Sequence, residues 1–485
     1  MKAPFPFRLL CLLLASLSLA GCVDLAPLYQ RPTPPVPATV GSPETSAVRL
    51  ETLAWQEVIS EPRLRDTLRL ALENNRDLRV ASLNIEKARA LYQVQRADLF
   101  PTVTGTLSET ASKGMANTGT TSNGTSTSGS NSGVVSSGGS SGTISHVYRA
   151  TVGFSAYELD LFSRIRNLNA VALQTYLSNE ETRKSTQISL VGEVATAWLT
   201  LAADQAALAV ATQTLQSQQQ TYTINQKMFD LGVTNALSLQ QLRTSVEAAN
   251  VAVATYRLQI KQDAQALNLL AGISLPATLL PGDRLPDTII NTALPTGIRS
   301  EQLLQRPDVR AAEHLLQGAD ANIGALRAAF FPTISLTTTV GTASTQLNGL
   351  FDQGSGIWTF VPQVSLPIFN GGRNRANLEA GKLNRDILLA QYEKTVQTAF
   401  SEVANALAQR EGVQQQLVAQ RALVTAAGEA FRLAEARYQK GVDSYLVVLD
   451  AQRTLYTARQ TLLSLQLAEA TSQLTLYKVL GGGWH

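Results

Sequence analysis

The chain is written twice. NRDLRVASLNIEKARALYQVQRADLFPTV, beginning at Asn75, aligns without a gap to RPDVRAAEHLLQGADANIGALRAAFFPTI, beginning at Arg306. Asp77 falls on Asp308, Arg79 on Arg310, Ala88 on Ala319, Arg96-Ala97 on Arg327-Ala328, and Phe100-Pro101-Thr102 on Phe331-Pro332-Thr333. A second stretch matches as well. Leu161-Phe162 falls on Ile368-Phe369, and after an inserted Gly371-Gly372, Arg164 falls on Arg373. The register then holds through Glu193 and Glu402, Tyr222 and Phe431, Gly232-Val233 and Gly441-Val442, to Gly272 and Gly481. The repeat unit covers about half the mature chain, so this is a duplicated domain and the two halves are expected to fold alike.

Each half predicts the same order of elements. A helix over 63–99 (300–330 in the second half) ends at Pro101 (Pro332), because proline cannot continue a helix. A strand, a loop and a second strand follow. A very long helix over 164–229 (373–438) is broken by a Gly-Val turn, and a shorter helix over 236–271 (445–480) returns. The helical segments are rich in Ala, Gln, Leu, Glu and Arg. Their apolar positions recur at three and four, as in Val396, Phe400, Val403 and Leu407. Seven-residue spacing at Leu449, Tyr456 and Leu463 favours supercoiling. About 65 helical residues span about 100 Å, and two helices of about 35 residues placed end to end match that length. Long and short helices side by side make a cylinder of uniform height.

The strands alternate. Tyr148, Ala150, Val152, Phe154 and Ala156 share one face, against Arg149, Thr151, Gly153 and Ser155. Ile334, Leu336, Thr338 and Val340 oppose Thr333, Ser335, Thr337 and Thr339. Trp358, Phe360, Val364, Leu366 and Ile368 oppose Thr359, Gln363 and Ser365. One apolar face and one hydroxyl-rich face fit a membrane barrel with lipid outside and water inside. The same alternation fits the half-buried strands of a sandwich. Four strands cannot close a membrane barrel, since the smallest have about eight, so a barrel requires several chains. The stretch 111–146 is almost all Ser, Gly, Thr and Asn, which cannot bury a core. Between barrel strands it is an external loop. The proline-rich stretch 272–299 lacks helical periodicity and reads as a belt linking the halves; 31–43 is another extended, proline-rich segment.

The N-terminus carries an address. Lys2 and Arg8 form a basic head, an apolar run of about a dozen residues follows, and small residues precede Cys22. That run is too short to span a bilayer. Leu19-Ala20-Gly21-Cys22 resembles the bacterial lipobox, whose cysteine is lipidated and becomes the mature N-terminus. Val23 after it favours the outer membrane, because in the better-known bacteria an Asp there retains lipoproteins at the inner one. The other cysteine, Cys11, lies in the cleaved segment, so the mature chain has no disulfide. No later run of 18 or more apolar residues reads as a conventional membrane helix. Lys+Arg is 40 against Asp+Glu 37, a balance that argues against a nucleic-acid surface. His146, His314 and His485 share no ligand spacing, and no nucleophile motif or phosphate-cradling loop is present, so neither metal, cofactor nor enzymatic activity is expected.

Together these residues resemble the TolC-like outer-membrane efflux proteins, in the NodT-type or OprM-like lipoprotein branch. The carriers are Gly21-Cys22 with Pro27, Tyr29 and Arg31-Pro32; Trp55, Pro62, Leu64 and Asn75-Arg76-Asp77-Leu78; and Tyr157-Glu158-Leu159-Asp160-Leu161-Phe162. LLQRPDVRAAE from Leu303, Phe369-Asn370-Gly371-Gly372, and LVVLDAQR from Leu446 complete them. Ser163 departs from the glycine usual after that phenylalanine. The resemblance implies an α+β membrane protein that is a homotrimer. Each chain gives four strands to one 12-stranded outer-membrane β-barrel and helices to one periplasmic α-helical coiled-coil barrel. The implied division is a signal peptide over 1–21, a lipidated N-terminal segment over 22–62, a first repeat over 63–271 with barrel strands near 101–110 and 147–158, and an equatorial linker over 272–299. A second repeat over 300–481, with strands near 332–341 and 357–368, and a tail over 482–485 complete it.

The resemblance also implies a role: a passive exit duct of a tripartite pump, joined to a periplasmic adaptor and an inner-membrane transporter of the RND class, exporting drugs or other small toxic compounds. A duct for type I protein secretion and a structural coiled-coil lipoprotein are the alternatives. Cys22 is the lipid site. Gly232, Val233, Gly441 and Val442 form the tip that meets the adaptor. Asp443, Tyr445, Asp450 and Arg453 are the gate candidates, since an acidic position repeated in three chains makes a ring of carboxylates in a narrow mouth. The family prototype's gate aspartates fall at Val447 and Asp450 and its gate arginine at Asp443, so the detailed network does not carry over. The substrate is not written in the sequence.

Overall fold

Asn75 breaks what the periodicity reads as one helix. Its backbone is extended at ψ 135°, it ends helix α2 (Pro62–Asn74), and it starts helix α3 (Arg76–Ala97). Its side-chain oxygen accepts from the Leu78 N–H at 2.9 Å, and its amide nitrogen donates to the Leu270 carbonyl at 2.8 Å. One side chain thus caps a helix and ties it to another. The second half corrects in the same way: Ser300–Gln305 is a 3-10 turn, and helix α6 runs Pro307–Ala328 with proline at its first position. Arg306 stands where Asn75 does and donates to the Val479 carbonyl at 2.8 Å, the counterpart of Leu270.

The computed structural model describes residues 23–41, 54–113, 144–286, 289–290 and 295–482. They form two units. One holds Gln93–Ala170 and Ala321–Lys382 with the first described residues up to Pro27; the other holds Leu28–Tyr92, Val171–Asp320 and Leu383–His485.

The second unit is helical. It contains the short helix α1 (Trp55–Val58), α2, and most of the long helix α4 (Arg164–Asp230), with α5 (Ala236–Ala271) returning. The second half supplies most of α7 (Arg373–Gln439) and all of α8 (Tyr445–Val479). α4 and α7 have 67 residues each. One core joins both halves: Trp55, Leu64 and Leu68, Val194, Trp198 and Leu201 of α4, Leu267 of α5, Val403 of α7, and Leu476 and Tyr477 of α8. Each fully buried leucine of this kind contributes about 1.5–3 kcal/mol. The linker takes part. Ile289, Ile298 and Leu303 lie in the core, the Trp198 indole donates to the Leu279 carbonyl at 3.0 Å, and strand β1 (Thr39–Gly41) pairs antiparallel with β4 (Gly297–Arg299). Among the described residues α4 alone has a window apolar enough for a membrane, at mean hydropathy 1.4, and 56% of that window is buried. Its apolar face belongs to the core of this unit.

The first unit is a four-stranded antiparallel sheet in the order β2-β3-β5-β6, from Thr104–Lys113, Ile144–Leu159, Thr333–Ser344 and Gly356–Ser365. The strands sit a few residues from the expected spans. β2 and β3 run on into the edges of the Ser/Gly-rich stretch, whose remainder, 114–143, lies outside the described residues. β3 is corrected in its alternation. A bulge falls between Phe154 and Tyr157, with Ala156 at φ 54°. Past the bulge Tyr157 pairs with Leu336 and Leu159 with Ile334. The apolar face therefore continues through Tyr157 and Leu159 instead of Ala156, because one extra residue resets a period of two.

The motif at the end of β3 makes the strand-to-helix joint. Glu158 accepts two hydrogen bonds from Arg164, and both oxygens of Asp160 accept from the Ile165 and Arg166 N–H groups that open α4. Ser163 adopts φ 57°, a left-handed conformation that glycine enters freely. Its hydroxyl donates to the Val23 carbonyl at 3.3 Å.

Candidate functional site

Two places carry the candidate function: an exposed sheet face and a pair of hairpin tips. In the sheet unit, cross-strand partners put Val152, Val340 and Trp358 in one row and Phe154, Thr338 and Phe360 in another. Val152, Val340, Trp358, Phe360, Val364 and Leu107 are all more than half exposed on this side. The other side of β5 is hydroxyl-rich, with Thr333, Ser335, Thr337 and Thr339. Among the described residues no second sheet covers the apolar side, which removes the sandwich reading. A contiguous apolar face of this size needs a nonaqueous neighbour. The outer strands β2 and β6 each have one edge unpaired within the sheet, a state that proteins avoid leaving open.

The tips lie in the helical unit and repeat each other. Gly232 and Gly441 both have φ 74°. The Gly232 N–H donates to the Phe229 carbonyl at 2.9 Å and the Val233 N–H to Met228 at 2.8 Å. The Gly441 N–H donates to Tyr438 at 2.8 Å and the Val442 N–H to Arg437 at 3.0 Å. This is the paired closure that ends a helix on a left-handed residue. No other group lies within 4 Å of where a Cβ would stand at either glycine, so backbone conformation alone demands glycine there. Asn235 then caps α5 by accepting from the Ser238 N–H. Val233 and Val442 are exposed, with Leu231, Leu237 and Leu446 beside them in sequence.

The gate candidates separate into three kinds. Tyr445 is 8% exposed and packs with Leu242, Ala434, Val448 and Leu449. Its ring meets Tyr438 edge-on at 5.3 Å, and burial pushes its hydroxyl up to about 12. It joins the two hairpins, as does the Tyr438 hydroxyl, which donates to Asn225 at 2.8 Å. Asp443 is held across the turn by Arg437, whose Nε and Nη2 donate to its two oxygens at 2.5 and 2.9 Å. The guanidinium keeps that carboxyl below its ordinary range. Sequence reading missed Arg437; an acid and a base six residues apart around a Gly-Val turn was the available signal. Asp450 and Arg453 are exposed, and among the described residues neither has an ion-pair partner. Cys22 lies outside the described residues. Val23, next to it, donates to the Leu161 carbonyl at 3.2 Å, at the joint between β3 and α4.

Comparison with known proteins places this geometry. The family model for the outer membrane efflux protein matches residues 67–273 and 298–482, once in each half. The toluene efflux pump outer membrane protein TtgC of Pseudomonas putida is 44% identical, covering 98% of this chain and 96% of its own. The cation efflux system protein CusC of Escherichia coli is 37% identical, covering 97% of each. The open-state crystal structure of the Neisseria gonorrhoeae MtrE outer membrane channel superposes with a TM-score of 0.84 at 36% identity, over 95% of this chain and 98% of that one.

Proposed function

The chain belongs to the outer membrane efflux protein family, and from that premise we propose how this sequence serves as the outer-membrane exit channel of a tripartite efflux pump. The observation that carries the reading is the four-stranded sheet with an exposed apolar face and two open edges. Three copies bring twelve strands, enough to close a barrel that faces lipid outside and water within. The lipid on Cys22 anchors the chain beside the sheet, since Val23 is bonded to the end of β3.

The hairpin tips receive the periplasmic adaptor. Their rigid glycine closures present exposed Val233, Val442 and Leu446 to it. An inner-membrane transporter of the RND class supplies the energy, and the duct conducts passively. Asp450 and Arg453, without an ion-pair partner among the described residues, meet neighbouring copies and hold the mouth closed, while Asp443 shapes the turn through Arg437 and Tyr445 fixes the hairpins from inside. The relatives' names span a solvent and a cation, so the exported compounds are small toxic ones chosen upstream of this channel.

The test is export. Cells lacking their own outer channel are given this chain with a matched adaptor and transporter, and the efflux of a fluorescent dye and resistance to toluene are measured. Restored efflux supports the reading. A folded, outer-membrane trimer that restores neither with any RND-class pair contradicts it.

A further inference from the structure

One glutamine changes places between the two hairpins. The pairing of halves sets Ala211 and Gln218 of α4 against Gln420 and Ala427 of α7, and Ala249 of α5 against Ala458 of α8. In the second hairpin Gln420 reaches from α7 to α8, where its Nε2 donates to the Ala458 carbonyl at 2.8 Å. Ala427 packs there with Leu455 and Ala458. In the first hairpin Ala211 stands in the place of Gln420, and its methyl group makes no such bond. Gln218 stands in the place of Ala427. It is 7% exposed, and its Oε1 has no hydrogen-bond partner among the described residues. A buried polar oxygen without a partner costs free energy, and native structures keep few of them.

The exchange leaves space. A cavity of about 550 Å³ lies between α4, α5 and α8, with Ala211, Gln218 and Ala249 in its wall. That volume falls in the range of small-molecule sites. Ala249, Ala252 and Leu449 give the wall apolar surface. Tyr456, also in the wall, accepts from Gln460 at 2.7 Å, which leaves its own hydroxyl hydrogen free to donate. Among the described residues of the wall Arg453 alone is charged, and it has no ion-pair partner among the described residues. A ligand that satisfies these groups is flat and apolar in its body. It carries an anion for the guanidinium and a hydroxyl that donates to Gln218 Oε1.

We propose that this cavity binds a small aromatic carboxylate, its ring on Ala249, Ala252 and Leu449, its carboxylate on Arg453 and a ring hydroxyl on Gln218. The second hairpin has no equivalent site, because Gln420 occupies the corresponding place. The site follows from the cavity and the exchanged glutamine; its effect on the channel rests on the reading of Arg453 as a gate residue. A carboxylate in the cavity takes the guanidinium that otherwise meets a neighbouring copy. The bound ligand therefore favours the open mouth, and acts as an effector held between helices of one chain.

The probe is 6-hydroxy-2-naphthoate. Its fluorescence anisotropy is measured on the purified full-length trimer in detergent, with 2-naphthoate, which lacks the hydroxyl, as competitor. The trimer should bind the probe about tenfold more tightly than 2-naphthoate, the worth of one buried hydrogen bond. Gln218→Ala should erase that preference. Ala211→Gln, which gives the first hairpin the side chain the second already holds, should abolish binding while the native mass stays trimeric. A preference that survives Gln218→Ala, binding that survives Ala211→Gln, or a conducting trimer that binds no probe overturns the site and leaves the channel reading intact. In planar bilayers, saturating probe should raise the closed-state conductance by roughly twofold or more, and Arg453→Met should abolish the response. An unchanged current in a trimer that binds the probe overturns the effector role. A trimer that inserts and passes no current, with or without probe, overturns the channel reading whatever its binding.

Discussion

Gly272 and Gly481 end the returning helices of the two halves, and replacing each by alanine separates conformational strain from steric clash. Both are left-handed, at φ 71° and 82°. An L-residue in that region costs about 1–2 kcal/mol, and alanine returns about 0.4–1 by restricting the unfolded chain. Gly481→Ala should therefore cost about 1 kcal/mol, since its nearest new neighbour, the Arg306 side chain, stands at an ordinary contact distance of 3.4 Å. Gly272→Ala drives its Cβ into the Asn74 carbonyl oxygen and to 2.9 Å from its carbon. Backbone must move there, and Asn75 next to it holds the Leu270 carbonyl. Overpacking of this kind adds about 1–3 kcal/mol, for a difference of about 2 between the two variants. The assay is the half-life of the purified trimer at a fixed elevated temperature in detergent, since a membrane oligomer of this size is judged by its unfolding rate. About 2 kcal/mol is about 30-fold in rate. Equal half-lives for the two variants would refute the steric argument, and with it the close seating of α2 against α5.

Three further outcomes follow from the same structure. Arg306 is nearly buried, pairs with Asp308 at 2.7 Å and Glu402 at 2.8 Å, and donates to Val479; Arg306→Ala should cost about 3 kcal/mol and accelerate thermal loss of the trimer, and an unchanged half-life would count against the joint. Asp204 on α4 is pushed up to about 6 by burial and by the Asp263 carboxyl beside it. An acid with a raised pKa contributes stability that is present below its ordinary pKa and lost as pH rises through about 6. Asp263→Asn removes the neighbouring carboxylate and leaves the burial, so it should make the fall in trimer stability between about pH 4 and 6 shallower and raise stability at neutral pH, by about 1 kcal/mol once solvent screening is allowed for; an unaltered pH profile would contradict this. Asp450→Ala should increase the closed-state conductance of the reconstituted channel, and an unchanged baseline current would remove Asp450 from the gate.

Much of the fold was legible because duplication doubles each signal. The long helices, the Gly-Val turns and a pair of strands all appear twice in the sequence. The breaks were harder. Asn75 sits in a periodic helical pattern, and only its cap chemistry toward Leu78 and Leu270 shows the break. The bulge at Ala156 leaves no trace in a run that alternates on both sides of it. Ser163, noted as a departure from the family's glycine, proves to stand at a left-handed position. Arg31 and Glu313 were read as separate motifs. They are one clamp: Arg31 donates twice to Glu313 at 2.8 Å, and Tyr29 adds a third bond at 2.9 Å. Pairings across 282 residues of sequence cannot be read from local pattern.

The central claim is that three copies of this chain make one water-filled passage. The direct measurement is the single-channel current of purified trimer in a planar lipid bilayer, with a trimer lacking strands β5 and β6 as the control. Discrete, ion-conducting steps from the whole chain, absent from the control, are what the account predicts. Native trimer that inserts into the bilayer and passes no current, even with Asp450 and Arg453 both replaced by alanine, would contradict it.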